Sequence, residues 1–383
     1  MISLDPGQQA KFRSGLDFAL DRVRAIAGRL ESLPGTPFHF STHPDGSLEP
    51  SPKPLWGDGH WVGLLWLAYE ISGDPDFLAW AKHWTAQIEF RKSDTWTHDL
   101  GWLLGLSHLK GYYITKDPHY LEVSLTAAEN YTKRLNPHIG MIQWHSTRDD
   151  SSDNFHTAVD AMMNIAMMWW AWIHTGDRRF YEVGFKEASG VIKHMLRSNG
   201  STAHVVNYNP EAGAFRHWER GQGYSPDSCW SRGIAWAIYG FAFAYEITGH
   251  LPFLEASCRT ADFFLRNLPD DQVPYWDFNS PNIPNTYKDS SAAAPVASGL
   301  QILARAVGEP ALSEKYQTAA HRMIESLTDH YLAKDTPHQG ILLHGAQDIP
   351  KGHRMDNCLV WGDFFYLEAV SRALGKWSAC KYF

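Results

Sequence analysis

The chain is poor in cysteine, and the few it has are scattered. Only four occur in 383 residues, at positions 229, 258, 358 and 380, with no Cys-x-x-Cys pair. That spacing argues against a disulfide frame and against a zinc site, and free thiols fit a reducing compartment. Excess positive charge is also lacking: the formal net charge is −8, so no basic surface is offered to nucleic acid or to an anionic membrane. No stretch approaches the roughly 20 uninterrupted apolar residues of a membrane span. The N-terminal segment carries Asp5, Lys11, Arg13, Asp17, Asp21 and Arg22 where a signal peptide would have an apolar core. These absences predict a soluble, cytoplasmic protein with neither nucleic-acid nor membrane partners. The metalloprotease, phosphate-loop, hydrolase-elbow and EF-hand motifs are missing too, and the histidines are dispersed, so neither a metal nor a cofactor is implied.

Aromatic rings are abundant instead, with 17 Trp among them. Flat rings with polar tips pack cores, and they also make platforms for sugars. A recurring phrase sets the architecture: Ala68-Tyr-Glu-Ile-Ser-Gly-Asp-Pro-Asp-Phe77, Tyr112-Tyr-Ile-Thr-Lys-Asp-Pro-His-Tyr120, Ala171-Trp-Ile-His-Thr-Gly-Asp-Arg-Arg-Phe180 and Ala244-Tyr-Glu-Ile-Thr-Gly-His-Leu-Pro-Phe253, with a degenerate copy at 304–310. Each reads as a helix end, a tight turn and a new helix start. Periodicity between the turns predicts helices near 5–33, 56–72, 76–92, 97–115, 118–135, 154–175, 178–197, 229–248, 252–268, 289–307, 311–333 and 356–374. Twelve helices in six hairpins make an all-α chain, an (α/α)6 barrel spanning residues 1–383 as a single domain. The long segments 34–55, 136–153, 198–228, 269–288 and 334–355, rich in Gly, Pro, His and aromatics, are expected to converge on a binding site.

The stretch from Asp153 to Trp172 places a carboxylate, Asp160, among Met, Ala, Val, Ile and Trp. Read as one helix, it puts His156 and Asn164 on the same stripe as Asp160. A carboxyl in apolar surroundings is either a structural hydrogen-bond acceptor or a group with a raised pKa, as a general acid requires. Further clusters are Thr97-His-Asp-Leu-Gly-Trp-Leu103, Pro54-Leu-Trp-Gly-Asp-Gly-His-Trp61, and the Gly-rich run from Gly221 through Arg232 to Trp236. Asp99 and Asp58 could serve simply as helix caps, and Arg232 could pair with a structural Asp.

Four of these segments resemble the unsaturated glucuronyl hydrolases of glycoside hydrolase family 88: His98-Asp-Leu-Gly101, Val159-Asp-Ala-Met-Met-Asn164, Gln222 to Trp236, and Cys358-Leu-Val-Trp-Gly-Asp-Phe-Phe-Tyr-Leu-Glu-Ala369. The resemblance implies a barrel enzyme that acts on unsaturated uronic-acid oligosaccharides left by polysaccharide lyases, as a monomer or homodimer. It implies that Asp160 protonates C4 of the 4,5-unsaturated uronate and deprotonates the water added at C5, with Asp99 in support. By the same resemblance, Trp56, His98, Trp144, His204, Gln222, Arg232 and Trp236 bind substrate, Arg232 through the uronate carboxylate. An apolar setting beside Asp99 is expected to raise the pKa of Asp160. The chain departs from the family at Gly57, His60 and Ile234. Ala346 and Ile349 stand where some relatives that prefer sulfated substrates have serines before a lysine, here Lys351, and this favours unsulfated or weakly sulfated substrates. The rival readings are an unsaturated rhamnogalacturonyl hydrolase acting on pectin fragments, a catalytically inactive oligosaccharide-binding relative, and a barrel epimerase.

Overall fold

The computed structural model describes residues 4–144 and 154–382. The second half of the predicted 136–153 loop and the first residue of the Asp153–Trp172 stretch lie outside the described residues. Helices alternate between two concentric layers. The inner ones are Asp58–Ser72, Gly101–Leu109 continued by Lys110–Thr115, Ala161–Asn164 continued by Ala166–Thr175, Ser231–Thr248, Ser290–Ala306 and Val360–Ala373. The outer ones are Pro6–Glu31, Pro75–Ile88, Pro118–Thr132, Arg178–His194, Leu251–Arg266 and Pro310–Ser326. The last inner helix packs against the first, which closes the ring of an (α/α)6 barrel.

The two layers differ in sequence for a physical reason. An outer helix buries one face, as Leu251–Arg266 does through Phe253, Ala256, Ser257, Thr260, Ala261 and Phe264 at helical spacing. An inner helix touches neighbours all round, so residues 231–244 are buried without interruption. Six inner helices fit around one axis only if their backbones approach closely, and each seam between them carries a glycine: Gly59, Gly101, Gly240, Gly299, Gly362 and Gly63. A Cβ on Gly240 would lie 2.6 Å from Met162 Cβ, and one on Gly299 would lie 2.9 Å from Tyr239 Cα. Both are well inside van der Waals contact.

The recurring phrase forms the inner-to-outer turns. Gly73, Lys116, Gly176 and Gly249 all adopt the left-handed conformation at a helix C-terminus. Asp74, Asp117 and Asp177 then cap the next helix by accepting a backbone N–H two residues on. The degenerate copy turns at Val307 in an extended conformation instead.

One predicted helix is wrong at its start. Residues Phe155–Ala158 form a strand, paired with Val205–Tyr208, which pairs in turn with Phe215–Glu219. His156 therefore leaves the stripe of Asp160, and its Nε2 lies 3.0 Å from Glu219 Oε1. Asn164 keeps its place: its Nδ2 donates to the Asp160 carbonyl, and its Oδ1 accepts the Trp102 N–H at 2.9 Å.

Outside the barrel axis, Glu187 is a carboxyl fully buried between its outer helix and the strand Met141–Ile142, where it accepts the Ile142 N–H at 2.5 Å. Burial pushes its pKa from 4.5 up to about 8. A raised folded-state value means that its stabilising contribution is full below pH 4.5 and is lost as pH climbs towards 8. Between about pH 6 and pH 9 that loss is on the order of 2 kcal/mol. Glu187→Gln, which keeps an acceptor for Ile142, is expected to flatten this part of the stability profile in denaturant titrations at the two pH values. A variant as pH-sensitive as the unaltered protein would refute it.

Candidate active site

The N-terminal ends of four inner helices meet at one pocket of about 230 Å³. Trp56 lies just before Asp58–Ser72, Trp102 stands at the start of Gly101–Leu109, Asp160 precedes Ala161, and Arg232 belongs to the first turn of Ser231–Thr248. Helix N-termini present unsatisfied N–H groups and the positive end of the helix dipole, so this end of the barrel favours an anion. The helix opening at Gly101 is a π-helix, a wider turn often found beside functional groups.

Sheet register explains how Asp160 meets a partner 44 residues away. Ala158 pairs with Val205, and the Val159 N–H donates to the His204 carbonyl at 3.0 Å, so the next side chains face each other. His204 Nε2 stands 3.1 Å from Asp160 Oδ2, and His204 Nδ1 accepts the backbone N–H of Gln222 at 2.8 Å. An imidazole that accepts at Nδ1 is neutral and carries its proton on Nε2, so it donates to Asp160. Burial acts to raise the Asp160 pKa, but influences led by the His204 hydrogen bond, with Arg232 the weakest of them, outweigh it, and the carboxyl lies below its ordinary value. The expectation of a raised pKa is thus corrected for the ligand-free protein. Asp160 is 8% exposed, and its Oδ1 accepts no hydrogen bond among the described residues.

Asp99 and His98 line the same pocket. Thr97 Oγ1 donates to Asp99 Oδ2 at 2.6 Å, and His98 Nε2 lies 3.2 Å from Asp99 Oδ1. Burial drives the His98 pKa down to about 3, so this ring is neutral. Trp56 stacks at a tilt on Trp361 and Trp102, with centroids at 4.7 and 5.5 Å. Trp144 forms another wall and packs against the His204 ring. The Gln222 amide donates to the Gln347 carbonyl at 2.9 Å.

Three expected substrate contacts stand differently. Trp236, 1% exposed, lies behind Trp102 and against Phe365, off the pocket wall, because its turn of the inner helix points at the barrel axis. His204 has both ring nitrogens occupied within the protein, so it orients Asp160 and has none left to hold sugar. Arg232 reaches the pocket, but it is only 1% exposed and its Nη1 is 2.8 Å from Asp289 Oδ2; its charge is already matched. Asp58 is a turn acceptor, taking the Leu55 N–H at 2.6 Å. Sequence reasoning left out Trp102, Gln347, Asp348 and His353, all of which line the pocket. The signal available for the last three was the long 334–355 loop. Among the described residues no group of three or more His, Cys, Asp or Glu is placed to hold a metal.

Comparison with known proteins matches residues 36–366 to the family model described as Glycosyl Hydrolase Family 88. The chain is 32% identical over 361 residues to an unsaturated glucuronyl hydrolase of Formosa agariphila, covering 91% of this chain and 88% of that one. It is 30% identical over 378 residues to an unsaturated chondroitin disaccharide hydrolase of Streptococcus pyogenes, covering 97% and 93%. The crystal structure of the unsaturated glucuronyl hydrolase of Bacillus sp. GL1, described as responsible for the degradation of glycosaminoglycan, superposes with a TM-score of 0.89 at 30% identity, covering 94% of this chain and 96% of that one.

Proposed function

The chain belongs to glycosyl hydrolase family 88, and from that premise we propose how it works as an unsaturated glucuronyl hydrolase. It removes the 4,5-unsaturated uronic acid from the non-reducing end of lyase-generated oligosaccharides. The observation that carries the mechanism is Asp160: one oxygen is held by a neutral His204, the other accepts no hydrogen bond among the described residues, and the pocket around it combines Trp56, Trp102 and Trp144 with Asp99.

The substrate is a vinyl ether bearing a carboxylate. Its carboxylate enters against converging helix N-termini, where Arg232, already paired with Asp289, contributes positive potential. A second negative charge in so small a pocket raises the Asp160 pKa, and the complex takes up a proton. Asp160 gives that proton to C4, and positive charge develops at C5, next to the ring oxygen. Water adds at C5 and passes its proton to the Asp160 carboxylate, which restores the acid. The resulting hemiketal opens to a keto acid, and the hemiacetal left at C1 releases the shortened sugar. One carboxyl thus serves as both acid and base, and anomeric displacement by a two-carboxylate pair is not used.

Lys351 lies at the pocket with its ammonium 3.1 Å from Asp348, so its charge is partly met inside the protein. Together with Ala346 and Ile349 this supports unsulfated or weakly sulfated substrates. The four cysteines, none of them in a disulfide among the described residues, support work in a reducing, cytoplasmic setting.

Unsaturated disaccharides from hyaluronan, chondroitin, heparin, gellan, xanthan and pectin test the reading, because hydration destroys the ultraviolet absorbance of the conjugated uronate. Loss of absorbance is expected with the glucuronyl substrates, and faster with unsulfated chondroitin disaccharide than with its sulfated forms. Turnover confined to the pectin fragment would replace this assignment with a rhamnogalacturonyl hydrolase.

A further inference from the structure

Beside the active-site pocket lies an open cleft of about 310 Å³ whose walls include Arg220, Tyr224, Trp276, Asn282, Tyr287 and Pro350. Two short segments separate the hollows, and each faces both ways. In the first, Gln222 lines the pocket while Arg220 and Tyr224 line the cleft. In the second, Asp348 and Lys351 line the pocket while Ile349 and Pro350 line the cleft. A chain leaving the pocket over either segment therefore arrives in the cleft.

We propose that this cleft is a distal sugar-binding site for the reducing-end units of acidic oligosaccharides longer than a disaccharide. The inference rests on the hydrolase reading, which puts the unsaturated end in the deep pocket and sends the remaining sugars outward. Two features of the cleft fit sugars. Tyr224 and Tyr287 are 45% and 38% exposed, large rings held at a surface beside an active site. Such rings cover the apolar faces of pyranoses, while their hydroxyls, with Asn282, meet the hydroxyl groups. The exposed guanidinium of Arg220 supplies the charge for a uronate or sulfate on a distal unit.

The platform is also held in place before any ligand arrives. Asp277, buried, accepts the Tyr224 N–H at 2.8 Å and the Ser228 hydroxyl at 2.7 Å. The Trp276 N–H donates to the Tyr287 carbonyl at 3.0 Å, and the Trp276 indole donates to Thr286 Oγ1 at 3.1 Å. Little ordering remains to be done when a sugar binds.

The test compares unsaturated disaccharide and tetrasaccharide from one lyase digest, using the unaltered protein, Tyr224→Ala and Tyr287→Ala. Both variants are expected to keep kcat/KM on the disaccharide within about twofold, which also reports intact folding, and to lose about tenfold on the tetrasaccharide through KM. Losses equal at both lengths, or no loss at either, would overturn the distal site while leaving the hydrolase reading standing. Failure of the unaltered protein to consume either length would overturn that reading and the distal site with it.

Discussion

Asp160→Asn is expected to lower turnover by about 10³-fold or more while leaving the fold and oligosaccharide binding in place. The amide is nearly isosteric, and its oxygen can still accept the His204 Nε2 proton, so the local hydrogen bond survives. What disappears is the ability to give a proton to carbon. Protonation of C4 has no substitute, because the neighbouring His98 is neutral and buried, with its pKa near 3, and His204 is held as a neutral donor by the Gln222 N–H. Binding is expected to hold or tighten, since the variant no longer sets a carboxylate against the uronate charge. The pH profiles carry the same logic. In the free protein the Asp160 pKa lies below its ordinary value, so kcat/KM falls as pH rises above that low value. In the complex the substrate carboxylate raises it, so the corresponding fall in kcat comes at higher pH. Stopped assays of uronate absorbance for the variant, and the two profiles for the unaltered protein, check both statements. Near-normal rates in Asp160→Asn would remove Asp160 from the mechanism.

The barrel was legible because its signals are local and repeated. Gly73, Gly176 and Gly249 each follow an inner helix and precede the first turn of an outer one, and the apolar periodicity of 251–266 against the unbroken apolar run of 231–244 separates the outer from the inner layer. The Asp160 region was misread at one end because Phe155–Ala158 is a short strand whose partners begin 47 residues later; its His, Thr and Ala alternate no differently from a helix start. Pairings set by long-range packing left no trace in sequence. Asp289 caps its own helix by accepting the Ser291 N–H, an ordinary local pattern, and nothing near it points to Arg232. His204 likewise reads as a loop residue until the strand register brings it to Asp160. The pKa of Asp160 was predicted in the wrong direction because an apolar neighbourhood in sequence does not reveal a hydrogen-bond donor delivered by another strand.

The Arg232–Asp289 pair leads to the second large effect, a loss of stability of about 3–5 kcal/mol in Arg232→Ala. The guanidinium lies between the Trp230 and Trp361 rings, 4.5 and 5.4 Å from their centroids. It donates to Asp289, to the Ala346 carbonyl and, at 2.5 Å, to the Gln347 carbonyl. Burial raises the Asp289 pKa, and Arg232 is the leading opposing influence. Truncation strands a carboxyl with no exposure to water, takes the guanidinium donor from the Ala346 carbonyl, and leaves the Gln347 carbonyl with the Gln222 amide alone, in the segment that presents Gln347 and Asp348 to the pocket. Denaturant unfolding is therefore expected to shift strongly, with activity falling as that segment loosens. The double variant Arg232→Ala with Asp289→Asn should be less destabilised than the sum of its singles, because no charge is then left unpaired. A residue whose task was confined to gripping the uronate would behave otherwise: Arg232→Ala would unfold like the unaltered protein, and KM would rise for the uronate substrate alone. With both side chains buried and the one charge matched by the other, stability is the quantity expected to move first.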